Sequence, residues 1–272
     1  MVERGVRTRG HYARLLAGAE AIEIKATIPQ RQIADARDRY KLTTRNDDDR
    51  YIYFFDTEHL HLLRAGIIAR ARRVVGKEHD STVKFRPVDP LKVDKRWRKY
   101  RGFKIEADAS EEGAVKSASF SMPVGKGLIK RVVAGEKRIA AIFTKEQEAF
   151  LREMAGTAPD LGTLSVLGPL RAQRWDFEDP SCPWPITAEL WSREDGAMLM
   201  EASVKAPAIQ AAAVMAGFMA FLAEVGAERD RQQQAKTRWA LDFYASRLKK
   251  KPARSAPNKA RRSTPRQGAP AA

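Results

Sequence analysis

Residues 21–29 read AIEIKATIP: Ile22, Ile24 and Ala26 alternate with Glu23 and Lys25 until Pro29 ends the run. Alternation of this kind puts one apolar and one charged face on a β-strand. The habit recurs in IIARARRV with Arg70 and Arg72, in STVKFRPV with Lys84 and Arg86, in FKIEADA with Lys104, Glu106 and Asp108, and in MEASVK with Glu201, Ser203 and Lys205. YIYFFDT, RAQRWDFE and ITAELWSRE are further strand candidates, and Asp195-Gly196 is a hairpin signal before the last of the series. Helical patterning is confined to a few places. QRQIADARDRYKL (30–42) follows Pro29 and reads as a short amphipathic helix. TKEQEAFLREMAG (144–156) opens with Thr144 and Gln147 in capping-box spacing and closes at Gly156. Two more helices are predicted at roughly 207–225 and 228–247, joined at Gly226. The fold class is α+β, with no short-period repeat that would indicate a solenoid.

The alternating charges admit two architectures. In one, an antiparallel sheet packs its apolar face on helices and leaves its charges in water, the default for such sheets. In the other, about eight strands close into a barrel whose polar positions face inward. Pattern alone leaves both open.

The chain has 272 residues and a net charge of +16. From Arg247 onward it carries nine Lys or Arg and no acid, yet the preceding residues still sum to +7. That balance favours polyanionic partners such as phosphate polymers, nucleotides or nucleic acid. Cys182 is the only cysteine, which excludes an intrachain disulfide and a thiolate cluster and points to a reducing, cytoplasmic location. The N-terminal residues lack the apolar core of a signal peptide. The uncharged run 206–223 is alanine-rich and reads as a packed helix, so no membrane span is expected.

A lumen lined by both signs suits one ligand chemistry well. Arg and Lys hold phosphate oxygens, while carboxylates hold Mg²⁺ or Mn²⁺, whose shells accept phosphate and water. The run YFFDTEHLHLLRAGIIARARR (53–73), followed by TVKFR (82–86) and preceded by AIEIK, resembles the CYTH domain of the triphosphate tunnel metalloenzymes. The resemblance covers most of 20–245 and is strongest over 20–110. It implies a closed antiparallel tunnel with flanking helices, a triphosphate or polyphosphate ligand, Mg²⁺ or Mn²⁺ as cofactor, and metal-dependent hydrolysis of a triphosphate. By position, Lys25, Arg70, Arg72, Lys84, Arg86 and Lys205 would hold phosphates, with Lys236 on a late helix and, more weakly, Arg174 in RAQRW. Glu23, Glu201 and Asp108 would hold metal, and Glu106 would orient the attacking water. Two positions depart from the family text. The first Glu of Glu-x-Glu-x-Lys is Ala21, and the second Glu of the late Glu-x-Glu is Ser203.

Those departures motivate an alternative: a tunnel that binds polyphosphate or a nucleotide without cleaving it. A second alternative is a nucleic-acid-associated protein acting through nonspecific contacts of its basic tail. The expected organisation is an N-terminal extension (1–19), a tunnel domain (20–246) and a disordered basic tail (247–272). His59 and His61 stand two apart without an evident third ligand and read as structural. KVDKRWRKYRG around Trp97 reads as a solvated basic loop rather than a nucleic-acid contact, and VGKG (124–127) lacks phosphate-loop spacing.

Overall fold

The computed structural model describes residues 18–43, 47–110, 113–157, 159–227 and 236–250. Among these, nine strands form one closed barrel. In chain order they are β1 (Ala21–Ile28), β2 (Arg50–Asp56), β3 (Ile67–Val74), β4 (His79–Phe85), β5 (Phe103–Ser110), β6 (Gly113–Val124), β7 (Ser165–Asp179), β8 (Cys182–Ser192) and β9 (Met198–Pro207). Around the ring the order is β1-β5-β6-β4-β3-β2-β7-β8-β9, with β9 returning to β1.

The one-sided sheet is thereby overturned and the closed barrel of the α+β reading holds; it has nine strands, and one feature is corrected, since it is mixed rather than wholly antiparallel. A closed ring with an odd number of strands cannot alternate direction throughout. The parallel seam falls between β1 and β5, where Glu23 is opposite Asp108, and all other neighbours are antiparallel.

Helices pack on both surfaces of the barrel wall. They are α1 (Ile33–Arg39), α2 (His61–Arg64), α3 (Leu128–Val133), α4 (Lys145–Ala155), α5 (Ala211–Glu224) and α6 (Lys236–Lys250). The outward-facing Ile22, Ile24, Val204 and Ile186 pack under Val214, Phe218 and Leu222 of α5. On the other side, Val83, Phe85, Ile105 and Phe120 pack with Ile129 of α3 and Phe150 of α4. Each large side chain buried in this way contributes about 1.5–3 kcal/mol. No helix among the described residues is long and apolar enough to cross a membrane.

The capping box of α4 is formed as the spacing predicts, with Thr144 Oγ1 accepting from Gln147 N. Gln147 does more than cap. Its Nε2 donates to Ser81 O and Phe120 O, and its Oε1 accepts from Ser81 Oγ, so the amide pins α4 to strands β4 and β6. The predicted hairpin at Asp195-Gly196 joins β8 to β9. Trp97 is neither solvated nor available to nucleic acid. It is buried against Phe120 and Phe150, and its Nε1 donates to Glu153. The basic residues around it form a short 3₁₀ turn on that aromatic anchor.

Helix α6 differs from the other helices. Its Ala240, Leu241, Tyr244 and Ala245 pack on Ile52, Phe54, Leu170 and Trp191, which are inward-facing. Register fixes that direction, because Ile52 lies opposite Arg72, and Phe54 opposite Arg70. Tyr244 Oη donates to Pro169 O at 2.6 Å and ties the helix to β7. The segment 251–272, most of the expected basic tail, lies outside the described residues, as does 1–17 of the N-terminal extension.

Candidate functional site: a charged barrel interior

Because side chains opposite one another in a ladder share a face, the pairing registers place the predicted residues without ambiguity. Glu23 is opposite Lys205 and Asp108, Lys25 opposite Ser203, Arg70 opposite Thr82, and Lys84 opposite Ser119. Glu201 is opposite Glu189, which in turn is opposite Arg174. All the charged residues singled out on strands β1, β3, β4, β5, β7 and β9 therefore point into one lumen, and Lys236 reaches it from the start of α6.

The lumen is graded from one end to the other. Toward one mouth Lys205, about half exposed, donates to Glu106 at 3.1 Å. Deeper in, Lys25 Nζ lies 2.7 Å from Asp108 Oδ1, 3.1 Å from Glu23 and 4.0 Å from Glu201. The other oxygen of Asp108 meets Arg86 Nη1 at 2.9 Å and Lys84 Nζ at 3.5 Å, by charge without hydrogen-bond geometry. Farther along, Lys236 Nζ bridges Glu201, at 2.8 Å, and Glu189, and stands 5.1 Å from the Trp191 ring. Arg72 makes a two-oxygen contact with Asp80, both at 3.0 Å, and Thr82 Oγ1 lies 2.8 Å from Ser121 Oγ. Arg174 pairs with Asp176 and donates to Thr187.

Proton affinities follow from these contacts. Burial works against the Asp108 carboxylate, but Lys25, Lys84 and Arg86 together hold its pKa well below the usual carboxylate range. Glu189 is likewise depressed, because Lys236 outweighs its burial. The Lys25 ammonium is stabilised against burial by Glu201, Asp108 and Glu23, so its pKa rises. Two cations depart from that pattern. Burial, reinforced by neighbouring Arg72, pushes Arg70 down to about 10. Lys84 is lowered by burial, which Asp108 only partly offsets, with Lys25, Arg70 and Arg86 adding repulsion. Arg70 Nε has no acceptor among the described residues and is cut off from solvent, although part of the side chain touches the lumen. Such a group is deep within the protein and yet able to meet a ligand.

The carboxylates do not fit a divalent ion as arranged. Mg²⁺ and Mn²⁺ need several oxygens converging at short range, and no group of three His, Cys, Asp or Glu among the described residues is placed to hold a metal. Lys25 stands between Glu23, Asp108 and Glu201, while Ala21 faces Glu106 and Ser203 donates to Glu23 at 3.2 Å. The two departures from the family text thus fall at the positions where added carboxylates would have joined this group.

Three lumen residues escaped the sequence reading. Glu189 alternates with Ala188 and Leu190 in ITAELWS and could have been found by the same rule as Glu201. Asp80 stands two before Thr82 and four before Lys84 on one face of β4. Arg50 precedes an apolar run and carries no alternation signal; it is buried and donates to Asp48. His59 and His61 lie in the connection between β2 and β3, their rings 5.7 Å apart. A cavity of about 430 Å³ between α1, α5 and β8–β9 is lined mainly by apolar residues, including Met200, Phe177 and Phe221, and shares no residue with the lumen.

By sequence the chain matches neither a protein-family model nor a curated protein. By structure it is similar to a candidate adenylate cyclase from Bacillus halodurans, with 14% identity, a TM-score of 0.56, and coverage of 81% of this chain and 97% of that one. It is equally similar to a candidate adenylyl cyclase from Hippeastrum described as having a dominant triphosphatase activity, with 17% identity, a TM-score of 0.56, and coverage of 81% and 94%. The chain shares its fold with these two proteins, and the closed barrel expected from its motifs holds at the level of fold.

Proposed function

We propose that the barrel interior is a tunnel for a triphosphate- or polyphosphate-bearing substrate and that it supports hydrolysis of a phosphoanhydride bond. The observation that carries this reading is the pair of under-compensated cations, Arg70 without an acceptor on Nε and Lys84 held below the ordinary lysine range. Phosphate oxygens would relieve both, since charge-assisted bonds to guanidinium and ammonium are strong where water is scarce. Arg72, Arg86 and Lys25 extend the same surface along the lumen, and Arg174, Lys205 and Lys236 flank it. The triphosphatase activity of the Hippeastrum protein, on the same fold, supports the choice of reaction.

In this reading, water held by Glu106 attacks the terminal phosphorus and passes a proton to the Glu106 carboxylate, the anhydride P–O bond breaks, and the departing diphosphate end of the substrate takes up the electron pair while the attacked phosphorus leaves as phosphate. The cations stabilise charge on the transferring and leaving oxygens. Mg²⁺ or Mn²⁺ is the cofactor that the motifs lead one to expect. The carboxylates among the described residues do not assemble a site for it.

A second reading, binding without cleavage, is favoured by the engagement of Glu23, Asp108 and Glu201 with ammonium groups. The test is phosphate release from tripolyphosphate, ATP and thiamine triphosphate, with and without Mg²⁺ or Mn²⁺, beside binding of tripolyphosphate by calorimetry. Release that is lost in Lys84→Ala and in Glu106→Gln supports hydrolysis. Binding that needs Lys84 but yields no phosphate supports the second reading, and absence of binding overturns both.

A further inference from the structure

Glu189 and Glu201 face each other across β8 and β9, two carboxylates at one level of the lumen. Opposed carboxylates repel unless a cation lies between them, and in a phosphate-binding tunnel a divalent ion is the expected occupant. This chain supplies its own cation there. Lys236 Nζ contacts both carboxylates and stands 5.1 Å from the Trp191 ring, and the residue opens the helix whose Ala240, Leu241 and Tyr244 are packed with Ile52 and Phe54. Lys25 lies 4.0 Å from the same Glu201 oxygen, and so links this carboxylate to the Glu23–Asp108 group.

We infer that the Lys236 ammonium stands in place of a divalent cation at the Glu189–Glu201 pair, so that the tunnel takes its phosphate-chain ligand without a metal ion. Three features join in this. Ala21 and Ser203 remove two carboxylates from the neighbouring wall, the remaining carboxylates are each paired with a fixed ammonium or guanidinium, and the cation at the pair is delivered by a packed helix rather than by solution. An ammonium offers three donors, enough to bridge two carboxylates while one N–H remains for a ligand oxygen. The charge that would otherwise depend on metal concentration is carried by the polypeptide. The ligand part of the inference rests on the tunnel reading above.

The test uses the full chain and Mn²⁺ alone, followed by electron paramagnetic resonance, in the wild type, Lys236→Met, Lys236→Arg and Lys236→Met with Glu189→Gln. Wild type and Lys236→Arg are expected to take up no Mn²⁺ to about 1 mM, the weak end for oxygen sites. Lys236→Met is expected to gain one Mn²⁺ site that the added Glu189→Gln removes. Circular dichroism establishes that each variant is folded, and the wild-type titration decides the matter if Lys236→Met is not. Stoichiometric Mn²⁺ uptake by the wild type, or a folded Lys236→Met with no gain, overturns the inference. Calorimetry with tripolyphosphate in EDTA supplies the second arm: an unchanged Kd is expected, and a loss of about tenfold or more overturns metal independence. If tripolyphosphate binds under neither condition the tunnel reading fails, while the Mn²⁺ titrations still decide what Lys236 replaces.

Discussion

Lys25 Nζ and Asp108 Oδ1 lie 2.7 Å apart across the parallel seam of the barrel, joining the first strand to the fifth. The two residues are 83 positions apart in the chain and meet only because the ring closes there. Asp108 also faces Lys84 and Arg86, so one carboxylate is shared among three cations. Counter-charge is thus concentrated on one residue, while Arg70 Nε has no acceptor among the described residues.

Removing Arg70 is expected to separate stability from binding. A guanidinium largely withdrawn from solvent, whose Nε has no acceptor among the described residues, opposes folding, so Arg70→Met is predicted to raise the unfolding free energy by about 1 kcal/mol in urea titrations. The same variant should weaken tripolyphosphate binding at least about tenfold, through loss of charge-assisted contacts. Loss of stability together with unchanged affinity would contradict the role given to Arg70.

Asp108→Asn is expected to destabilise by about 3 kcal/mol, because three cations lose their shared counter-charge while remaining in place. The wild type should show the corresponding pH dependence. A carboxyl whose folded-state pKa is depressed contributes fully above its unfolded value, about 3.9 for Asp and 4.3 for Glu, and loses that contribution as pH falls through the lower folded value. Asp108 and Glu189 are both of this kind. Stability measured by denaturant from pH 7 downward should therefore fall off below about pH 4, and the fall should be shallower in Asp108→Asn.

Gln147 tests the scaffold independently of the site. Its side-chain amide satisfies Ser81 O, Phe120 O and Ser81 Oγ as well as Thr144 N, all in the outer wall. Gln147→Ala should cost about 2–4 kcal/mol, since buried partners are left unsatisfied and the cap is weakened. Tripolyphosphate affinity per folded molecule should be unchanged. A large change in affinity would mean that the α4 wall is coupled to the lumen.

Truncation after Lys250 addresses the basic tail. The packing of α6 involves residues up to Leu248, and Arg247 pairs with Glu194, so a chain ending at 250 keeps these contacts. Thermal denaturation and tripolyphosphate Kd are expected to match the full chain, whereas salt-sensitive binding to nucleic acid, if present, should weaken. A matching loss of tripolyphosphate binding would assign the ligand to the tail instead of the tunnel.

Several elements were legible because they are written in local chemistry. Thr144 and Gln147 announce α4, Asp195-Gly196 announces a hairpin, and the two-residue spacing of Arg70 with Arg72 and of Lys84 with Arg86 marks strand faces. Strand β6 carries no charged alternation, because its inward positions are Ser117, Ser119 and Ser121, residues as common in loops as on a lumen wall. In YIYFF, β2 offered no polar face at all. Its inward Ile52 and Phe54 are covered by α6, so the strand is apolar on both sides.

The sequence by itself determined the strand faces, the excess of positive charge, the hairpin and helix ends, and the set of residues that share a polar side. These depend on periodicity and on residues within a few positions of each other. Only the tertiary structure decided that the polar side faces inward, that β1 meets β5 in parallel, and that α6 brings Lys236 to Glu189 and Glu201. Those outcomes come from closing a nine-membered ring and from burying an apolar helix face against it, and they are set by contacts between residues distant in the chain, which no local pattern records.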